Sequence, residues 1–369
     1  MRHRSSRLMT LAAIFILLLA AVNVGLRPRP AKAANPWGPM DAIEKAARGE
    51  GKLVVYAAPG HMGPRAQREI STRFSEKYGI AIDWTSLSAR DIAPRVLAEQ
   101  RTQQRVVDVV MSGIAGNYTT LKPKGYVLPI LAPSTMEKDV WWLDPASALP
   151  EDRDWLFIYM TLTPSFFINT ELIPAGERPA SYKDLLNPKW KGKIVMMTPA
   201  RGGAGSGWFR ATYRSLGLDY MKALAKQIVL AAKVNDPPDM VARGQYLISI
   251  GATTTRGLQL MSQGAPVNFI HPKEGSHLTT QGVSFVVNSP HPNAAMLFIN
   301  WFYSKEGQDI YAVANEVISL RKDVSQDHLP AAIRYSAGQP LMMPTTEDQQ
   351  GNRPRELLKV GKEIFEVGK

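Results

Sequence analysis

Short apolar runs and helical patterns alternate along this chain from residue 53 onward, and no other feature restricts its fold as strongly. Leu53 to Ala58 (LVVYAA) has strand length, and Pro64 to Lys77 follows with Ala66, Ile70, Phe74 and Tyr78 on one helical face. The unit repeats. Ile80 to Trp84 is strand-like, Ser88 can cap a helix running to about Gln104, and Val106 to Met111 is a second buried run ending at Ser112-Gly113. Strands separated by helices in this way form a largely parallel sheet covered by helices, so the chain is predicted to be α/β.

A second series begins after an irregular region containing Pro133, Pro145 and Pro150. Ser165 to Asn169 (SFFIN) reads as a strand. Tyr182 to Ser206 then reads as helix, turn, buried strand at Ile194 to Met197 and glycine-rich loop. Helices are expected over Ser206 to Leu216, Leu218 to Gln227 and Pro238 to Ala242, followed by the buried run Leu247 to Ile250 and a helix after GATTTRG ending near Gln263. Strands Val267 to Ile270 and Val283 to Asn288 come next, then helices Asn293 to Tyr303 and Lys305 to Ala314. The segment from Ser336 to Arg353 is irregular in composition. A final amphipathic helix carries Leu357, Val360, Ile364 and Phe365.

Ligands of open parallel sheets bind beyond the carboxyl ends of strands. Four loops here occupy such places: Ala57 to Gly63, Met111 to Gly116, Thr198 to Ser206 and Gly251 to Gly257. Each is small, contains glycine and precedes a helix, so several sets of free N–H groups could converge on one ligand. The third carries Arg201 with Gly202, Gly203, Gly205 and Gly207, and Ser206 can cap the helix that starts near Trp208. It matches no nucleotide-binding motif, because no lysine follows the glycines and the spacing is not that of a dinucleotide fingerprint. Nor is Ser206 in a nucleophile elbow, since Ala204 stands where the first glycine belongs.

Arg2, Arg4 and Arg7 precede an apolar run from Leu8 to Val22, and Ala31-Lys32-Ala33 supplies small residues for cleavage before Ala34. Residues 1–33 are therefore expected to be a secretory signal peptide, the other reading being an uncleaved anchor. His3 separates Arg2 from Arg4, so export is expected by the general pathway and not by the twin-arginine one. The leader holds six basic residues and no acid, so the net charge of +12 falls to +6 without it. That scattered excess suits an acidic small molecule and gives little support to nucleic-acid binding. With no cysteine, disulfides and thiolate chemistry are excluded. About 336 residues remain after the leader, enough for two domains of ~150 each.

The motifs KLVVYAA, VDVVMSG, FFINTELIP, LLNPKWKGKI, GVSFVVNSPHPNAAMLFINWFYSKEGQ and ISLRKDV, in that order, resemble the extracellular solute-binding proteins of ABC importers. The resemblance is to the branch that includes ferric-iron, polyamine, thiamine and phosphorylated-solute binders. It implies a two-lobed periplasmic binding protein type II fold, hinged by two crossover strands near Phe166 to Asn169 and Val283 to Val287. Lobe 1 would combine residues 34–165 with 283–369, and lobe 2 would be 166–282. It also implies a periplasmic, monomeric receptor that closes on its solute and presents it to an inner-membrane permease, with no cofactor and no reaction of its own.

Iron binders of the branch use a histidine after the first strand, a glutamate after the third and a tyrosine pair in the second lobe. His61 matches the first, but Gly113 stands at the glutamate position and Thr253-Thr254-Thr255 where the tyrosines would fall. Neutral hydroxyls are poor ferric ligands, so no metal site is expected. Arg256 after the threonines, facing Arg201, favours a small organic anion: a phosphorylated or phosphonate compound, or a carboxylate. The expected contacts are Ala58, Gly60, His61, Ser112 and Gly113 from one lobe, and Arg201, Gly203, Gly205, Ser206, Thr253, Thr254 and Arg256 from the other. Arg256 also reads as an ion pair on the helix it begins, and His61 as a loop histidine that caps a helix or faces solvent. A ferric-iron or polyamine receptor and an exported hydrolase using His61 are the competing functions; the hydrolase lacks an activated nucleophile.

Overall fold

The computed structural model describes residues 38–58, 61–113, 120–128, 132–135, 137, 139–142, 157–201, 204–233, 235–344, 348 and 353–366; the expected leader lies outside them. Helix α1 spans Met40–Glu50, strand β1 Lys52–Ala57, α2 Pro64–Tyr78, β2 Ala81–Ser86, α3 Ala89–Thr102 and β3 Val109–Gly113. In β1, Leu53, Val55 and Ala57 enter one core cluster while Val54 and Tyr56 enter another. A strand buried on both faces is what a helix-covered parallel sheet requires, and β1 pairs in parallel with both β2 and β3. Ala66, Ile70, Phe74 and Tyr78 form the buried face of α2, as their spacing predicts.

Strands β4 (Val127–Leu128) and β5 (Phe157–Thr163) follow, then β6 (Phe166–Asn169), β7 (Ile194–Met197), helix α4 (Ala204–Ala225), β8 (Ile228–Ala231), α5 (Asp236–Ala242), β9 (Ile248–Ile250), α6 (Thr254–Ser262) and β10 (Val267–Ile270). The chain ends with β11 (Ser276–Val286), α7 (Pro292–Tyr303), α8 (Lys305–Asn315), β12 (Leu341–Met342) and α9 (Arg353–Phe365). Among the described residues one sheet runs β12-β11-β3-β1-β2, with β4 and β5 also on β11, and a second runs β10-β6-β9-β7-β8. The α/β expectation of two sheets holds. The two helices expected around Gly217 are the two arms of α4, which breaks there (φ 81°).

The helix expected near Tyr182 is instead a pair of 3-10 turns, Lys183–Leu186 and Pro188–Trp190. Pro188 forces Asn187 into an extended conformation, and the Asn187 side chain then accepts from Lys189 N. Strand β5 lies in a region expected to be irregular. The return to the first sheet, expected at Val283, falls inside β11, which already pairs with β5 and β12 from its first residues. The chain thus passes between sheets at 164–165 and at 271–275. Ser165 and His277 tie these passages together, with Ser165 Oγ 3.1 Å from His277 Nδ1 and accepting from His277 N at 3.2 Å.

Helix α9, expected to belong with the first lobe, packs against α4, with Phe365 edge-on to Phe209 at 6.0 Å and Thr198 Oγ1 donating to Glu366 at 2.7 Å. Its apolar stripe needs a partner, and Leu357 and Phe365 join the core of the second sheet. Helix α4 in turn packs on β11 and β12 of the first sheet, so it bridges the two.

Candidate functional site

The carboxyl ends of β1 and β3 in the first sheet, and of β7 and β9 in the second, bring out the four loops. After β1, Ala58 N donates to Met111 O, and Ala58 O accepts from His61 N at 2.8 Å and Met62 N at 3.2 Å, forming a tight turn. Asn315 Oδ1 accepts from Gly63 N where α2 starts. Gly60 lies outside the described residues. His61 is half-buried, but its Nδ1 is enclosed without a hydrogen-bond partner, and burial pushes the ring down to about 4. It is neutral at physiological pH.

Ser112 is buried within β3 and engaged inside the protein. Gly113 stands opposite Gln281 of β11, and a Cβ placed on it would meet nothing within 4 Å.

In the second sheet, the loop after β7 is held by Thr198, whose Oγ1 accepts from Ala200 N at 3.2 Å. Arg201 is exposed, and Gly203 lies outside the described residues. Gly205 has a packing role: a Cβ there would sit 2.1 Å from Met197 O and 2.7 Å from Thr198 O, so only glycine lets α4 start this close to the strand end. Ser206 is buried and engaged within the protein. Between β9 and α6 the chain turns at Gly251 (φ 66°), directly over Trp208, whose Nε1 donates to Tyr182 Oη at 3.0 Å. That platform fixes Thr253 and Thr254 at the N-terminus of α6. The Oγ1 atoms of both are enclosed without a hydrogen-bond partner.

Arg256 is turned away from this cluster. Its Nε and Nη2 bond Asp239 Oδ1 of α5 at 2.7 and 2.6 Å, and its Nη1 reaches Gln259 at 2.5 Å. Placed beyond the first residues of α6, it lies along the helix flank toward α5, and its fork is filled. The ion-pair reading of this residue describes what the structure shows.

Two residues that the sequence did not single out are in better positions. Arg210, one turn after Ser206 on α4, is half-buried, and its guanidinium has no ion pair or hydrogen bond among the described residues. Burial lowers its pKa, and no anion among the described residues offsets that penalty. The i, i+4 spacing from Ser206 was the signal that could have found it. Gln281 is buried, with Oε1 enclosed and unpartnered. Its segment, HLTTQG, reads as polar loop, so the sequence hid it.

The charge balance of this end of the molecule is one-sided. Residues 58–63, 112–120, 198–207, 251–255 and 276–281 contain no Asp or Glu, while Arg201 and Arg210 are cationic. Enclosed hydroxyls, helix N-termini and an unpaired guanidinium are each groups able to donate to an anion.

A family model described as bacterial extracellular solute-binding protein matches residues 53–313. A Salmonella typhimurium protein named "Putative 2-aminoethylphosphonate-binding periplasmic protein" is 24% identical over 316 residues, covering 81% of this chain and 88% of the relative. Among solved structures, the periplasmic binding protein AfuA from Actinobacillus pleuropneumoniae with fructose-6-phosphate bound superposes with a TM-score of 0.66 at 19% identity, covering 86% of this chain and 99% of that one. The ferric binding protein from Campylobacter jejuni also gives 0.66 at 19% identity, over 85% and 99% of the two chains. These structural likenesses establish the two-lobed fold.

Proposed function

From the premise that the chain belongs to the bacterial extracellular solute-binding proteins, we propose that it is the periplasmic receptor of an ABC importer for a small organic anion carrying phosphate or phosphonate. The observation that carries the reading is the Arg210 guanidinium, partly removed from water on the first turns of α4 and left without an anion among the described residues. A buried unpaired charge is costly, and chains keep one where a ligand completes it. The enclosed Thr253 and Thr254 hydroxyls supply further donors. The names of the Salmonella relative and of the AfuA complex, both pointing to phosphorus oxyanions, support the same class.

Taking strand pairing as the guide, lobe 1 comprises residues 38–165 and 276–344, and lobe 2 comprises 166–275 with α9 packed on it. Solute enters between the strand ends of the two lobes, the hinge closes at 164–165 and 271–275, and the closed form docks on an inner-membrane permease. Ferric iron and polyamines are best held by carboxylate oxygens, and the loop segments named above hold no Asp or Glu.

The test is a thermal-shift and calorimetric screen of protein unfolded and refolded to strip carried-over solute. Phosphomonoesters, phosphonates, carboxylates, polyamines and ferric salts form the panel. A ligand at a hundred times its Kd stabilises by about 2.7 kcal/mol. Stabilisation by phosphorus oxyanions, lost in Arg210→Ala, is expected; stabilisation only by iron or a polyamine would overturn the reading, and turnover of a bound ester would replace it with an enzyme.

A further inference from the structure

We propose, resting on the receptor reading above, that Ser165 is a positioning residue that ties the hinge to the solute-binding loops of the second lobe, so that lobe closure and loop geometry change together. Ser165 is fully buried in the first passage between the sheets, between β5 and β6. Its carbonyl accepts from Gly251 N at 2.9 Å, at the turn that leads to Thr253 and α6. Its hydroxyl bonds in two other directions: to His277 of β11, a strand of the first sheet, and to the hydroxyl of Tyr182 in the second lobe. Tyr182 extends the connection. Its Oη accepts from Trp208 Nε1 at 3.0 Å, and its backbone N donates to the Glu274 carboxylate of the second passage at 3.0 and 3.1 Å. Trp208 follows the glycine loop on α4, and a Cβ on Gly251 would come within 3.2 Å of Trp208 Cβ. These contacts close a ring from Ser165 through Gly251, Trp208 and Tyr182 back to Ser165. Both loops of the second lobe rest on it.

Only one order of hydrogens satisfies every donor in this chain. An indole nitrogen only donates, so the Tyr182 hydroxyl accepts from Trp208 and turns its own hydrogen to Ser165. Ser165 Oγ also accepts from His277 N at 3.2 Å, which leaves its hydrogen for His277 Nδ1 at 3.1 Å. Burial keeps that imidazole neutral, so Nδ1 is free to accept. The chain thus runs from Trp208 to Tyr182 to Ser165 to His277, and all four residues are buried. A buried donor has no solvent to replace a lost partner. Moving His277 relative to the second lobe therefore either carries the chain with it or strands a donor.

The test uses the full chain. Amide hydrogen exchange of Gly251 to Thr254 is measured without solute, and affinity for a hexose 6-phosphate and an aminoalkylphosphonate by titration calorimetry. Phe302→Leu, in the core of the first lobe and outside the chain of hydrogen bonds, is the control, with variants compared at matched stability in urea. His277→Leu removes the acceptor at the first-sheet end alone. It is expected to speed exchange at Gly251 to Thr254 at least about threefold and to weaken whichever compound binds about 3- to 10-fold, and Phe302→Leu to do neither. His277→Gln, whose amide oxygen can accept from Ser165, should restore most of both. Ser165→Ala and Tyr182→Phe should combine with no more effect than the larger of the two, because each cuts the same chain. Unchanged exchange in His277→Leu, or the same changes in Phe302→Leu, overturns the inference while the anion reading stands. If neither compound binds the wild type, the anion reading fails and the exchange result still decides the coupling.

Discussion

Replacing Arg210 by methionine should make the ligand-free protein more stable and the solute harder to hold. Methionine keeps most of the stem contacts of arginine along α4 while deleting the charge. In the free protein that charge is half-buried and faces no anion among the described residues. Full burial of an unmatched neutral polar group costs about 1–3 kcal/mol and a charge costs more; discounted for the exposure that remains, the gain from removing it is about 1 kcal/mol. With ligand the sign reverses. Charge-assisted hydrogen bonds contribute about 1.5–3 kcal/mol, so affinity for a phosphorus oxyanion should fall roughly 10- to 150-fold. Urea unfolding without ligand gives the first number and titration calorimetry the second. Lower stability in Arg210→Met, with unchanged anion affinity, would mean that the guanidinium serves the fold, and the reasoning would fail.

Asp239→Asn should cost only about 0.2–1 kcal/mol, because the Arg256 pair is partly exposed, and should leave anion affinity within about twofold in the same calorimetric assay. Gly205→Ala should cost about 2–4 kcal/mol in urea unfolding, since the methyl would press on backbone carbonyls of Met197 and Thr198 that have no rotamer to escape into. Burial holds His277 at about 4, below its unfolded value of about 6.5, so the folded state resists protonation that the unfolded state accepts. Its contribution is complete above pH 6.5 and declines as pH falls toward 4, about 2 kcal/mol being lost between pH 7.5 and 5; urea midpoints across that range should fall with acid, and less so in His277→Gln. Phe365→Ala should cost about 3–5 kcal/mol by emptying the contact between α9 and α4, read from thermal unfolding.

Strand and helix alternation, the parallel core strands around Leu53, Val109 and Ile194, and the loops at their carboxyl ends were all legible in the sequence. In those elements burial writes itself as periodicity: a strand covered on both faces must be apolar throughout, and a covering helix must carry an apolar stripe. The strand β5 and the first half of β11 were not legible. The β11 half, with His277, Thr279, Thr280 and Gln281, runs where the chain passes between sheets and carries polar groups that a periodic reading assigns to loops.

The site divides in the same way. Thr253, Thr254 and the glycine loops could be named as donors because loop chemistry is local. Which arginine stands free could not, since Arg201, Arg210 and Arg256 differ only in what lies across from them in space. Asp239 fills the fork of Arg256 from another helix, no acid among the described residues reaches Arg210, and Gly205 proved a packing residue through atoms of the preceding strand. The sequence determined which segments are buried and where a ligand could enter, because those follow from hydrophobic pattern and backbone freedom. Only the tertiary structure decided which polar groups are left unmatched, because satisfaction is a property of pairs that the chain brings together from distant positions.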